Sequence, residues 1–308
     1  MFKFIHYFLV AVSLGLGSTT WAQVKTSADV GNHSAHKDMR IIASGGTITE
    51  IIYALDKQQF IVAADSTSMF PAAAESLPKL GYFRQLSTEG IIGFQPTHLF
   101  GAQATGPESL PEQLKAAGIK VHIFNEQRDL DGLYQLVSEI GLLLDAPEKA
   151  TNLNNSIGKQ VAELKIKAQA RINMSRSKRN NIKVTALFIM SDSDRGLSVA
   201  GGNTVPQALF NDAGIINAAK GLHDYKVMDN ESILAANPDI IFVASHRVKD
   251  GAALQRLCQH PALKATIAGR NCAISSMESS SALGLSPRYP QALQTVLERT
   301  ASFYTDAH

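Results

Sequence analysis

The chain has 308 residues, 45% of them hydrophobic and 18% charged, with 29 basic side chains against 27 acidic ones. That is long enough for two lobes with buried cores, and too apolar for a disordered chain. The charge is close to balance and forms no basic stripe interleaved with aromatics, which argues against nucleic acid as a partner.

The chain opens with Lys3, an apolar run from Phe4 to Leu16, and the small residue Ala22 with Thr20 two before it. These are the marks of a removable secretory signal over residues 1–22, and the run is shorter than the ~20 residues that a bilayer span needs. No Cys stands near the cleavage point to carry a lipid, and removal of Lys3 leaves 28 basic residues against 27 acidic. Residues 23–39 are polar and aperiodic and read as a mobile N-terminal segment, in which His33 and His36 are solvated rather than metal-binding. Export places Cys258 and Cys272 in an oxidising compartment. Their spacing is not that of a metal site, and it leaves open either a disulfide or two buried thiols.

From "MRIIASGGTITEIIYALD" onward the pattern is regular: a strand, a glycine corner, and a helix capped by Thr47 or Thr49 with Glu50 in its first turn. "QFIVAADS" is a strand, followed by the loop "MFPAAAESLPKLGYFRQLS". A short helix, Pro96 and the strand "THLFGA" come next, and "PESLPEQLKAAGIKVHIFN" repeats helix and strand. This alternation predicts an N-terminal α/β lobe over residues 40–145 with a mostly parallel sheet, closed by a helix carrying Leu133, Leu136, Val137, Ile140 and Leu144 on one face. Ala150, Leu153, Ile157, Val161, Leu164 and Ala168 recur by threes and fours, predicting a linking helix over 146–178 of about 40 Å. A C-terminal α/β lobe over 179–308 restarts the pattern: strand "IKVTALFIM", glycine-rich corner "SDSDRGLSVAGGNTVPQALFNDAG" into a helix, "NESILAANPDIIFVASH", "CAISSM", and a last helix from Pro290. The expected fold is two Rossmann-like lobes with central, mostly parallel sheets joined by one long helix. The cleft between them is the default ligand site.

"STEGIIGFQPTHLF" and "NESILAANPDIIF" are echoes, each with a glutamate ahead of an apolar turn, a breaker ending at proline, and a short apolar run. Glu89 and Glu231 occupy the same place in the two copies, where an acidic residue in a first helical turn is also favoured by roughly 0.3–1 kcal/mol. The chain has no G-x-S-x-G elbow, Walker loop or H-E-x-x-H helix. "SGGT" resembles the first motif of bacterial asparaginases, but the second threonine with its acidic neighbour and lysine is missing, so a periplasmic hydrolase is the weaker alternative. Tyr82 follows Gly81 in a loop flanked by Phe83 and Arg84. By itself such a residue is more often a half-buried aromatic than a ligand.

The runs "SGGTITEIIYALD", "ADSTSMFPAAAESLPKLGYFRQLSTEGI", "AGGNTVPQALFNDAG" and "NPDIIFVASHR" resemble the periplasmic haem-binding proteins of bacterial ABC haem importers, the HmuT type of class III substrate-binding protein, with Phe70 where that family often has Tyr. The resemblance implies haem as the transported ligand, with no catalysis, a monomeric carrier, and delivery to an inner-membrane permease dimer with its ATPase subunits. It implies Tyr82 as the axial ligand to haem iron, a suitable hard donor for ferric iron. Arg247 is implied to lie near the phenol and to favour its ionised form. Met69, Phe70 and Phe83 would supply apolar walls, Arg84 either a propionate partner or a structural salt bridge, and His246 either a distal contact or a satisfied loop residue. The loop "MSDSDRGLSVAGG" lacks the histidine by which some relatives hold a second haem, so one haem is implied. Glu89 and Glu231 are implied to dock to the permease. A cobalamin or iron-siderophore carrier on the same fold is the other alternative.

Overall fold

The first lobe is built by four short strands that alternate with helices. β1 (Ile41–Ser44), α1 (Gly46–Ala54), β2 (Ile61–Ala64), α2 (Thr88–Ile92), β3 (His98–Ala102), α3 (Leu110–Ala116), β4 (Lys120–Phe124) and α4 (Leu130–Leu143) give a sheet of order β2-β1-β3-β4, parallel throughout. The computed structural model describes residues 38–125, 127–177, 183–193, 196–248 and 251–305. The expected signal and the segment up to residue 37 lie outside the described residues.

Glycine sets the corner after β1. Gly45 has φ 111°, and a Cβ there would sit 2.8 Å from the Ala102 Cβ, while one on Gly46 would sit 2.8 Å from the Thr67 carbonyl oxygen. The double glycine therefore lets α1 start hard against two neighbouring strand ends. This corrects the expected cap. Thr47 and Thr49 lie inside the helix, no side chain of its own caps it, and Glu50 falls beyond the first turn. The Gly45 and Gly46 N–H groups donate instead to Asp65 Oδ1 (2.8 Å) and Thr67 Oγ1 (3.1 Å).

The linking helix, α5 (Pro147–Ser177), spans about 46 Å at 1.5 Å per residue. Ala150, Ile157, Val161 and Ala168 are buried on its inner face, with Leu153 and Leu164 packed beside them. On α4, Leu133, Leu136, Val137 and Ile140 are buried, and Gly141 allows the Ala150 Cβ to approach within 2.5 Å of where its own Cβ would be.

The second lobe contains β5 (Thr185–Ser193), β6 (Gly196–Ala200), α6 (Val205–Ala213), β7 (Ile216–Asn217), β8 (Tyr225–Met228), α7 (Asn230–Ala236), β9 (Ile240–Ala244), α8 (Gly251–Cys258), α9 (Ile267–Arg270), β10 (Ile274–Met277), α10 (Ser279–Leu283), α11 (Tyr289–Arg299) and α12 (Ser302–Thr305). The strand order is β10-β9-β5-β6-β8, with β7 beside β5. The β10, β9, β5 and β7 pairings are parallel, whereas β6 pairs antiparallel with β5 and β8. Where the sequence suggests a glycine-rich corner leading straight into a helix, a hairpin is formed instead. Leu197 and Val199 alternate with half-buried neighbours, a period-two pattern that extends the sheet before Thr204 caps α6 by accepting from the Gln207 N–H.

One apolar cluster runs through both lobes, from Ile41, Phe100 and Phe124, through Ile157 and Val161 of α5, to Phe188, Phe242 and Leu293. Cys258 and Cys272 are joined in a disulfide, Cα–Cα 5.2 Å, which resolves the alternative left open by their spacing. Among the described residues no helix is long and apolar enough to cross a membrane.

Candidate functional site

Asp65, at the C-terminal end of β2, is fully buried and uses both carboxylate oxygens locally. Oδ1 accepts from the Gly45 N–H and from Ser68 Oγ (both 2.8 Å). Oδ2 accepts from the Thr67 N–H (2.8 Å) and Thr67 Oγ1 (2.5 Å), and Thr49 and Ser68 share a further hydroxyl bond of 2.7 Å. The polar side chains of "DSTS" are thus spent inward, and the next two residues, Met69 and Phe70, are turned out with 49% and 43% of their surface exposed. Lys79 Nζ fixes the far side of this loop by donating to the carbonyls of Ser68 (2.5 Å) and Ala74 (2.8 Å). Burial lowers the Lys79 pKa, against the opposing pull of Asp65 and Glu75.

Tyr82 stands on the same support. Gly81 has φ 90°, and its carbonyl accepts from Ser66 N–H (2.7 Å). On the other side, Gly106 N–H donates to the Phe83 carbonyl (3.0 Å) and Leu86 N–H to that of Gly106 (2.9 Å). The backbone around Tyr82 is therefore tied to the ends of β2 and β3, while its side chain is 45% exposed. No hydrogen bond to its hydroxyl is found among the described residues. Phe83 meets the Tyr82 ring edge-on at 4.9 Å, and the Arg84 guanidinium lies 5.4 Å from the Phe83 centroid. Met69, Phe70, Tyr82 and Phe83 thus share one rigid loop system at the C-terminal ends of the parallel strands, where ligands bind in open α/β sheets.

The two lobes meet beneath Phe70. Arg288, at the start of α11, donates to both carboxylate oxygens of Glu50 (2.6 and 3.0 Å) and to Glu278 (2.8 Å), and its guanidinium lies 4.0 Å from the Phe70 ring centroid. The Glu50 side chain is 3% exposed. Burial works against the charge on Glu278, but the N–H groups of Ser280 and Ser281 and the Arg288 guanidinium outweigh it and lower its pKa. Burial likewise opposes the Arg288 charge, and its bonds to Glu50 and Glu278 raise its pKa overall. With two carboxylates already bound, Arg288 is committed to joining the lobes. Sequence reasoning misses this pair because its members stand 238 positions apart. A second bridge is looser: Arg128, in the loop after β4, lies 3.8 Å from Asp224 and 3.5 Å from the Asn203 carbonyl. Next to it the Tyr225 hydroxyl is buried with no partner found among the described residues, and burial pushes its pKa up to about 12, partly offset by Arg128.

In the second lobe His246 follows β9 in the turn Ser245–Arg247. Its N–H donates to Ser279 Oγ (3.0 Å) and its Nδ1 lies 2.8 Å from the same oxygen. Ser279 in turn donates its N–H to Ser245 Oγ, so the ring is held against the start of α10. Arg247 closes that turn, and its side chain lies outside the described residues. Glu89 and Glu231 are both exposed, each the second residue of a short helix, with the N-cap side chains of Ser87 and Asp229 accepting from the N–H groups of Gly90 and Ser232. A depression of about 500 Å³ lined by Tyr134, Thr151, Asn154, Asn155, Gly158 and Lys159 shares no residue with the tyrosine loop. The Gly-Gly-Thr corner offers no free nucleophile: Thr47 and Thr49 are buried, and the Thr49 hydroxyl is bonded to Ser68.

The comparisons agree with this fold. The periplasmic haem-binding protein RhuT from Roseiflexus sp. RS-1, solved in its apo form, superimposes with a TM-score of 0.76 at 31% identity, covering 88% of this chain and 99% of that one. The periplasmic haem-binding protein HutB of Vibrio cholerae gives 0.72 at 30% identity, covering 84% and 98%. Among curated proteins, the vitamin B12-binding protein of Vibrio parahaemolyticus serotype O3:K6 is 24% identical over 212 residues, 68% of this chain and 72% of that protein. All three are named as binding proteins, not enzymes. Residues 41–280, from the first strand through the last, match the family described as periplasmic binding protein, and the chain belongs to that family.

Proposed function

We propose that this protein captures haem in the cleft between its lobes, outside the cytoplasm, and delivers it to an inner-membrane ABC permease dimer driven by ATPase subunits. The observation that carries the reading is Tyr82: an exposed phenol on a braced loop, edge-on to half-buried Phe83 and in the same loop system as exposed Met69 and Phe70, in a chain 31% identical to a haem-binding protein over most of its length. A phenolate oxygen is a good donor to ferric iron, and flat apolar side chains around it suit a macrocycle. In this reading Tyr82 is the axial ligand and Arg247 supports its ionised form. Met69, Phe70 and Phe83 pack on the ring, and Phe70 is stiffened by its stack on Arg288. Arg84, whose contact among the described residues is an aromatic ring rather than a carboxylate, is left available to a propionate. His246 serves as a distal contact only after release from Ser279. Glu89 and Glu231 dock to the permease, residues 1–22 direct export, and the carrier acts as a monomer.

Titration of the mature protein with ferric haem tests this, read by absorption. A saturating one-to-one complex with a tyrosinate-type high-spin spectrum, lost in Tyr82→Ala, is expected. The named cobalamin-binding relatives favour the second reading, a cobalamin carrier on the same fold. That reading gains if haem fails to saturate while cobalamin binds equally to the parent and to Tyr82→Ala.

A further inference from the structure

The two corners that carry Glu89 and Glu231 place the same features at the same offsets over twelve positions, with Glu, Ile and Pro identical. Each begins with a capping side chain, Ser87 or Asp229, and places a glutamate two residues on and a fully buried isoleucine four residues on, Ile91 or Ile233. Eight residues after the cap the backbone takes a positive φ, 48° at Gln95 and 39° at Asn237. A proline follows at nine, and the strand starts at eleven, at His98 of β3 and Ile240 of β9. Five residues after the cap each corner carries a large apolar side chain that does not reach the core: Ile92 is 41% exposed and Leu234 48%. Ile91 and Ile233 belong to the buried apolar clusters of their lobes, whereas Ile92 and Leu234 are not among the side chains packed against them. Residues three apart on a helix lie on one face, which puts Ile92 beside Glu89 and Leu234 beside Glu231. Neither glutamate has an ion-pair partner among the described residues.

We infer that Ile92 and Leu234 are apolar anchors of a docking face, each paired with its glutamate. The face is built for a two-fold protein partner that offers, on each of two identical subunits, a cationic side chain next to an apolar recess. The inference rests on the transporter-docking reading above and adds the half of the contact that charge alone does not supply. A solvent-exposed ion pair by itself is worth at most about 1 kcal/mol, too little to select a partner, whereas apolar side chains losing their remaining exposure add a salt-insensitive component. The repetition specifies the partner's symmetry: a surface that repeats one element on two lobes fits a partner that repeats its own on two chains.

The test measures stimulation of ATP hydrolysis by the permease–ATPase complex of the same cell, in nanodiscs, across concentrations of haem-loaded protein. The variants are Ile92→Ser with Leu234→Ser, each of these alone, and Glu89→Gln with Glu231→Gln. The double serine variant should keep the parent haem spectrum and melting temperature yet need at least roughly tenfold more protein for half-stimulation, with the two single variants sharing the loss about equally. A double serine variant that stimulates like the parent, while the glutamine pair is impaired, overturns the anchors and leaves the docking glutamates standing. Parent-like stimulation by both pairs overturns the docking reading and the inference together. A loss confined to one serine overturns the two-fold match.

Discussion

Replacing Arg288 by Met tests whether the two lobes are held by charge. The substitution keeps most of the side-chain volume but leaves Glu50, 3% exposed, with no other hydrogen bond found among the described residues. Removing one member of a buried pair costs about 3–5 kcal/mol, because the remaining charge stays desolvated. Loss of the guanidinium over Phe70 adds no more than about 0.5–1 kcal/mol, since that ring is 43% exposed. For a chain of this size about 2–3 °C accompanies each kcal/mol, so calorimetry should show the melting temperature falling by roughly 7–18 °C. Adding Glu50→Leu removes the stranded carboxylate and should restore the larger part of the loss, because an apolar pair of similar volume often replaces a buried ion pair at little cost. A fall of less than about 2 °C for Arg288→Met, or a double variant as unstable as the sum of its parts, would refute the claim that this pair is a buried pin.

Other expectations follow from the same contacts. The Cys258–Cys272 disulfide closes a loop of sequence separation 14, so Cys258→Ser with Cys272→Ser should cost about 3 kcal/mol, and thiol titration of the unfolded, unreduced parent should find no free thiol. Glu278 has a folded pKa below its unfolded value, so its contribution is present above the ordinary glutamate range and lost as pH falls through the folded value. Glu278→Gln should therefore flatten the melting temperature against pH between about 5 and 3, and an unchanged profile would count against it. Asp65→Asn turns acceptors into donors on one oxygen that now receives two hydrogen bonds, and should cost about 2–4 kcal/mol while weakening haem binding through the loosened Met69–Phe70 loop. Parent-like stability and haem affinity would show that the loop does not depend on that carboxylate.

The sequence reveals most where structure is local and periodic. The apolar faces of α4 and α5, the βα alternation of the first lobe, and the echo of the two glutamate corners can all be read from spacing of two to eleven residues. It reveals least where the deciding partner is distant. Thr47 and Thr49 have the chemistry of a cap, but the double glycine draws the helix onto Asp65 and Thr67, whose oxygens take over that role. The antiparallel pairing of β5 and β6 hides because the sequence joining them is a polar run rich in Gly, Asp and Ser, and only the alternation of Leu197 and Val199 marks the second strand. For the candidate site, "GYFR" marks the tyrosine loop, but its rigidity depends on the inward bonds of Asp65 and Lys79. The Arg288–Glu50 pair has no local signature at all, since nothing near Glu50 distinguishes it from any acidic residue on a helix.

That pair bears on how a carrier of this build releases its ligand. Wide opening about a hinge requires lobes that separate cleanly, yet here one apolar cluster passes from the first sheet through α5 into the second, and Arg288 joins the lobes below the exposed aromatics. Separating them would expose Glu50 and part of that cluster together, at a cost comparable with the stability of a domain. The Arg128–Asp224 contact, longer and more exposed, can break at little cost. Of these two contacts between the lobes, the one at Arg128 therefore costs less to break than the one at Arg288. In the proposed reading, such a cleft binds haem through the rigidity of the tyrosine loop rather than by enclosure. On the proposed docking through Glu89 and Glu231, the energy for release comes from a partner that contacts both lobes at once and strains the pin between them.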